Sequence, residues 1–202
     1  MARKNPFTDQ ELLDYSEEHL LYELHMFRWV GERMEGKTGF DLSAYLESFA
    51  IHLRNLIDFF YLEPTRDDDV AALDFFDDPR SWAPGAFSAT LDAARERANK
   101  EVNHITSKRK VAADATKPWN VRDLFNEIDA VAKKFAAEAS GKRLHGKVRD
   151  WLKSAGEARN AILVNASTQS SNVASYTIST SGGVGSGAKD TNTTTKPNRS
   201  SG

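Results

Sequence analysis

The stretch Asp41-Leu-Ser-Ala-Tyr-Leu46-Glu-Ser-Phe49-Ala-Ile-His52-Leu-Arg54-Asn-Leu-Ile-Asp58-Phe-Phe60-Tyr-Leu62 decides the fold. Leu42, Leu46, Phe49, Leu53, Leu56, Ile57 and Phe60 recur at helical spacing, which places them on one face of an α-helix. An apolar face of that length belongs to a helix buried in the core of its domain. Glu63-Pro64 ends it, because the residue before a proline avoids helical backbone.

Four further helical segments surround this one. Thr8-Asp-Gln-Glu11 spells a capping box, in which the Thr8 hydroxyl and the Glu11 carboxylate each accept from the other's amide. Phe7 and Leu12 form the flanking hydrophobic staple. Leu13, Leu20, Leu24 and Phe27, joined by Leu21 and Trp29, carry the apolar stripe onward, and Gly31 and Gly36 mark its end. Past Pro64, residues 70–76 are expected to make one helical turn that brings Leu73 and Phe76 onto the core, as Trp82 does nearby. A third helix is expected over about 88–106, with Leu91, Ala94, Ala98, Val102 and Ile105 on its modest apolar face, followed by the basic loop Ser107-Lys-Arg-Lys110. Asn120 caps a fourth helix containing Val121, Leu124, Phe125, Ile128, Val131, Ala132 and Phe135, closed by Ser140-Gly141. A fifth covers about 143–155 through Leu144, Val148, Trp151 and Leu152. No repeat and no alternating strand pattern interrupts this. The expectation is an all-α fold, a helical bundle of about five helices with a disordered C-terminal tail.

The tail is a change of polymer. Residues 165–202 hold 9 Ser, 7 Thr, 5 Gly and 4 Asn, and no Leu, Phe, Trp or Met. Such a segment buries too little apolar area to offset the ~1–2 kcal/mol per residue of backbone ordering. Val173, Tyr176 and Ile178 lie close together and have the size for a short strand against a partner. The domain division is therefore 1–164, a helical-bundle domain, and 165–202, the Ser/Thr/Gly/Asn-rich tail.

The net charge of −2 on 202 residues conceals a division. Residues 1–94 carry 8 Lys+Arg against 19 Asp+Glu, for −11; residues 95–164 carry 16 against 9, for +7; the tail carries 3 against 1, for +2. A basic segment of this kind can face nucleic acid, and equally can be a solvated face beside acidic helices.

Composition excludes several chemistries. With no cysteine, there is no disulfide framework, thiol nucleophile or thiolate metal site. No apolar run reaches the ~18 residues of a membrane span, and the opening Met1-Ala-Arg-Lys-Asn-Pro6 lacks the apolar core of a signal peptide. A cytoplasmic location without membrane contact follows as the expectation. His19, His25, His52, His104 and His145 are too scattered for a metal set, and Asp67-Asp68-Asp69 reads as a solvated loop, so neither metal nor cofactor is expected. Gly36-Lys37-Thr38 has the last letters of a phosphate loop, but no buried strand precedes it.

One polar constellation remains. Arg97, Lys100, His104 and Lys108 lie at i, i+3, i+7 and i+11 on the third helix, which is one stripe of a straight α-helix. The imidazole can move protons near neutral pH, and the cations can hold a phosphate and the charge developing on it. The second helix adds Glu47, Arg54 and Asp58 at i, i+7 and i+11, with His52 beside them, as supporting groups for the third helix or as ion pairs among themselves.

Arg97-Ala-Asn-Lys-Glu-Val-Asn-His104 resembles the signature of HEPN domains, an arginine followed after four to six residues by a histidine. Asn99-Lys100-Glu-Val-Asn103-His104 is similar to the Arg-Asp-Lys-x-x-Ala-His string of members related to abortive-infection proteins, from its second letter on. The run from Glu47 to Phe60 looks like the long second helix of uncharacterised bacterial proteins of this kind. The resemblance covers about 41–110. Position 98, where that string has its arginine, is alanine, so Arg97 stands one residue early, ~100° around the helix. The resemblance implies a metal-independent RNA endonuclease in a defence or toxin context. His104 would move the proton as a ribose 2′-hydroxyl attacks its phosphate, Arg97 would stabilise that phosphate, and Asn99, Lys100 and Lys108 would support it or bind RNA. It also implies a homodimer with the motifs facing one cleft. The competing reading is a non-catalytic helical module that binds a protein partner or a nucleotide, favoured by the early arginine and by the acidic N-terminal half.

Overall fold

The computed structural model describes residues 6–102, 119–154, 162–168 and 174–180. Five helical rods make up most of it. Helix α1 covers 9–33 and is continuous through three parts: Asp9–Tyr15, a π-helical turn Ser16–Leu20, and Leu21–Arg33. Its start is the expected capping box, with the Glu11 amide donating to Thr8 Oγ1 at 3.2 Å and the Thr8 amide donating to Glu11 Oε2 at 2.7 Å. The π turn has a cause in the sequence. Leu12, Ser16, Leu20 and Leu24 are all buried and lie four apart. Over those twelve residues a straight α-helix would rotate them ~120° off a common face at ~100° per residue. The wider turn takes up about one residue of that rotation and returns Leu24 to the side of Leu12.

Helix α2, Gly39–Tyr61, is the central helix. Its expected apolar face is buried throughout, joined by Ala50 and Phe59. Leu62 is extended and the chain leaves at Pro64 as expected. The expected turn in the connection is a 3₁₀ helix, Ala72–Phe75, followed by a second, Pro79–Ser81; the first brings Ala72, Phe75 and Phe76 into the core, whereas Leu73, expected there, is only half-buried. Trp82 then tucks its indole N–H onto the Phe60 carbonyl at 2.8 Å. The third rod, α3, covers 89–102 and is capped by the Ser88 hydroxyl; Ala89–Arg97 is α-helical and Ala98–Val102 is a second π turn. Helix α4, Val121–Glu138, is capped by Asn120, whose side chain accepts from the Asp123 amide at 3.2 Å. Helix α5, Gly146–Ser154, completes the bundle. The chain is thus helical in architecture.

The core has two aromatic centres. Phe59, Phe60, Phe75, Phe76 and Trp82 surround Phe135 with ring centroids 5.4 to 6.1 Å away. Phe27, Phe49 and Phe125 form the other, at 4.5 to 5.8 Å.

Two helix ends differ from their sequence reading. Gly31 does not end α1. It is buried within the helix, where an added Cβ would sit 2.1 Å from Phe125 Cε2. The glycine is there for the close approach of α1 to the Phe125 ring. Gly31→Ala is therefore expected to lower stability by about 1–2 kcal/mol, the overpacking cost less the gain in helix propensity. Urea unfolding checks this, and a more stable variant would contradict it. Ser140-Gly141 is likewise no glycine cap: α4 ends at an extended Ala139. Arg149 caps it instead, donating to the carbonyls of Ala136, Ala139 and Leu144 at 3.0, 2.8 and 2.7 Å. Arg143 ties the same end to the rest of the bundle through Asp9 at 2.6 Å and the Phe76 carbonyl at 2.6 Å. Trp29, read as part of the apolar stripe, is 44% exposed and stacks on Tyr45.

Three short strands form an antiparallel sheet in chain order: β1 Trp119–Asn120, β2 Ile162–Thr168 and β3 Ala174–Thr180. Tyr176 and Ile178, read as material for a strand against a partner, pair within the chain, opposite Ala166 and Val164. Tyr176, Thr177 and Ile178 are aromatic or β-branched and suit a pleated backbone. Of the stretch read from composition as a disordered tail, only 165–168 and 174–180 belong to the described residues.

Candidate functional site

The constellation read from the sequence does not come together as one site among the described residues. His104 and Lys108 lie outside them. Arg97 places its guanidinium over the Trp119 ring, 4.3 Å from the centroid, at the start of β1. Lys100 pairs with Glu96 one turn earlier, and Asn99 is half-buried beside it. Asn99 and Lys100 both sit in the π turn Ala98–Val102. The stripe assumed for Arg97, Lys100 and His104 presupposes α-helical rotation, so it does not carry across that turn. On α2, Glu47 is exposed and does not join the other supporting groups.

Arg54 and Asp58 do gather, in a cleft of about 510 Å³ walled by α1, α2, α3 and the loop after α2. Asp58 stands between two arginines. Arg95 donates through Nε at 2.6 Å, and Arg54 lies with Nε 3.6 Å away. Arg95 faces this cleft because it precedes Arg97 by two residues, ~200° of rotation. One α3 arginine thus looks into the cleft and the other toward Trp119. Glu23 of α1 closes the next part of the wall. Its Oε2 lies 2.8 Å from His52 Nδ1 and accepts from Asn55 Nδ2 at 3.3 Å. His52 is 8% exposed, so it serves as a buried partner to Glu23.

The loop wall is acidic. Asp69 accepts from the amides of Arg66 and Thr65 at 2.9 and 3.0 Å and from the Thr65 hydroxyl at 3.2 Å. The Arg66 amide, chiefly, holds the Asp69 carboxyl below its usual range; burial opposes it, and the Thr65 donors and the Arg66 charge add to the lowering. Tyr15, also in the wall, has its phenol pushed up by burial and then by the Glu23 charge. Counting the whole lining, Glu23, Asp58, Glu63, Asp68 and Asp69 outnumber Arg54, Arg66 and Arg95. Sequence reasoning missed Glu23 and Arg95 as members. Their signal is a contact between helices, which no spacing along one helix contains.

A second, more open depression of about 650 Å³ runs along the outer face of α1 between Trp29 and Trp151. His25 packs against Trp151 in a tilted contact, 4.6 Å between centroids, and burial there pushes its imidazole below the usual value. Arg28 and Arg33 already lie over the Trp151 and Trp29 rings. This surface is thus covered in part by the chain's own cations.

Gly31-Glu-Arg-Met-Glu-Gly36-Lys37-Thr38 spells the whole G-x-x-x-x-G-K-T string of a phosphate loop, including the first glycine at position 31. Its surroundings are wrong for that role. A phosphate loop follows a strand and offers free amides to the phosphates. Here residues 31–33 are the last turn of α1, and the Lys37 amide donates to the Met34 carbonyl at 3.1 Å. The Lys37 ammonium lies over the Tyr45 ring. The match is one of letters only.

Among the described residues no group of three or more His, Asp or Glu could hold a metal, and no helix is long and apolar enough to cross a membrane. Comparison with protein-family models, with curated proteins and with solved structures gives no match to the chain.

Proposed function

We propose that the chain is a non-catalytic helical binding module whose ligand site is the polar cleft between α1, α2 and α3. The observation that carries this is the Arg54–Asp58–Arg95 set, in which one carboxylate holds guanidiniums from two helices at the wall of a ligand-sized cleft. Elements anchored in the aromatic core hold it, so the site is preorganised. The acidic majority of the lining disfavours a polyanion such as RNA in this cleft. A cytoplasmic setting accords with the reading.

A second reading keeps the HEPN-like RNA endonuclease, and the π turn of α3 favours it. That turn absorbs about one residue of rotation, the same displacement by which Arg97 stands early in the motif. Arg97 would then lie nearer the family's register relative to His104. An RNA-cleavage assay with EDTA present, on wild type and His104→Ala, separates the two. The binding-module reading expects no cleavage from either protein on several RNAs. Cleavage by wild type that the substitution abolishes, with folding unchanged, establishes the nuclease instead.

A further inference from the structure

Resting on the binding-module reading, we infer that the cleft takes a zwitterionic ligand of short-peptide type, its carboxylate on Arg54 and Arg95 and its cationic group toward Glu63 and Asp68. The charges within the cleft are unevenly placed. Asp58 is one carboxylate between two guanidiniums, which leaves that wall with a surplus positive charge. Both arginines approach Asp58 through Nε. Among the described residues neither has a second ion-pair partner, so each keeps its outer Nη edge for a planar anion. Such a fork suits a carboxylate and can accept it through parallel N–H donors.

The loop side is opposite in sign. Glu63, Asp68 and Asp69 face a single arginine, Arg66. Asp69 is committed to the Thr65 and Arg66 amides. Glu63 and Asp68 therefore supply the surplus negative charge, and both are exposed at the mouth. Glu23 stands on α1 rather than on this loop, and its carboxylate is held by His52 and Asn55.

Charge arithmetic chooses the ligand class. A phosphate ester brings close to two negative charges to a wall with one surplus positive charge, and faces the acidic loop as well. A carboxylate with a balancing ammonium satisfies both sides. A cleft of about 510 Å³ is large enough for two or three amino-acid residues.

Calorimetric titration of the full chain tests this with three probes: glycyl-glycyl-lysine, the same peptide as its C-terminal amide, and adenosine monophosphate. The tripeptide is expected to bind, its amide at least tenfold more weakly, and the nucleotide more weakly than the tripeptide. Arg95→Met is expected to reduce tripeptide affinity at least tenfold with the melting temperature retained. Should Arg95→Met unfold the protein, Glu63→Gln combined with Asp68→Asn on the exposed loop serves in its place, with the same tenfold loss. Equal binding of tripeptide and amide, or tighter binding of the nucleotide, overturns the zwitterion assignment and leaves a ligand-binding cleft. Failure of the tripeptide to bind overturns the assignment as well. Failure of the module reading itself shows elsewhere, as metal-independent RNA cleavage lost in His104→Ala.

Discussion

Phe135→Ala should lower the unfolding free energy by about 3–5 kcal/mol, the cost of removing a large aromatic side chain from a packed core. Phe135 is 1% exposed on α4, and rings from α2 and from the 62–88 connection enclose it. Phe59 and Phe60 come from the C-terminal end of α2, Phe75 and Phe76 from the first 3₁₀ helix and its end, and Trp82 from just after the second. Edge-to-face contacts add about 0.5–1.5 kcal/mol per pair beyond area burial, so the loss belongs at the upper end of the range. A cavity at this point also releases the connection from the bundle, because Trp82 loses one of its two ring partners. Urea unfolding followed by tryptophan fluorescence measures the change. A loss below about 1 kcal/mol would mean that the connection does not pack on α4 as described.

The second large effect is expected at Arg149. Its guanidinium takes the carbonyls of Ala136 and Ala139 at the end of α4 and of Leu144 in the turn before α5, and hydrogen bonds to charged groups contribute about 1.5–3 kcal/mol each. Arg149 is only half-buried, so water recovers part of this when the side chain is removed. Arg149→Met, which keeps the length and apolar stem, is expected to cost about 3 kcal/mol in all. Arg149→Lys should rescue little, since one ammonium cannot reproduce a planar fork spread over separate carbonyls. Thermal unfolding gives the magnitude, and amide exchange locates it: protection should fall first over 136–154. Full retention of stability in Arg149→Met would show that the end of α4 is satisfied by solvent.

These residues show which part of the fold is legible in the sequence. Helices announce themselves through local patterns. The Thr8–Glu11 box, the seven apolar positions of α2 and the Asn120 cap are all contained in short windows, and each sits where those windows put it. Helix ends decided by distant groups are not local. Ser140-Gly141 has the letters of a glycine cap, yet an arginine nine residues further on does the capping. Gly31 resembles a stop signal until Phe125, nearly a hundred residues away, explains its missing side chain. The π turn in α1 lies between these cases. Its four-residue spacing from Leu12 to Leu24 is visible in the letters, but only an insistence on exact rotation separates it from an ordinary stripe.

The candidate site follows the same rule. Glu47, Arg54 and Asp58 share a stripe by sequence, and two of the three reach the cleft. What makes a site of them is Arg95 from α3 and Glu23 from α1, and interhelical contacts have no spacing to read. Arg97 carried the family resemblance, while Arg95, two residues earlier, is the arginine bonded to Asp58. The helix presents them to opposite sides, so choosing between them required the orientation of α3 in the bundle.

Chemical-shift mapping on the isotope-labelled full chain tests most directly whether the cleft is the working surface. Glycyl-glycyl-lysine and a short single-stranded RNA are titrated separately. The account predicts that the peptide shifts amides over 54–58, 63–69 and Arg95, and that the RNA leaves the described helices unmoved. RNA-induced shifts concentrated over 97–102, with the cleft amides unchanged by the peptide, would contradict it.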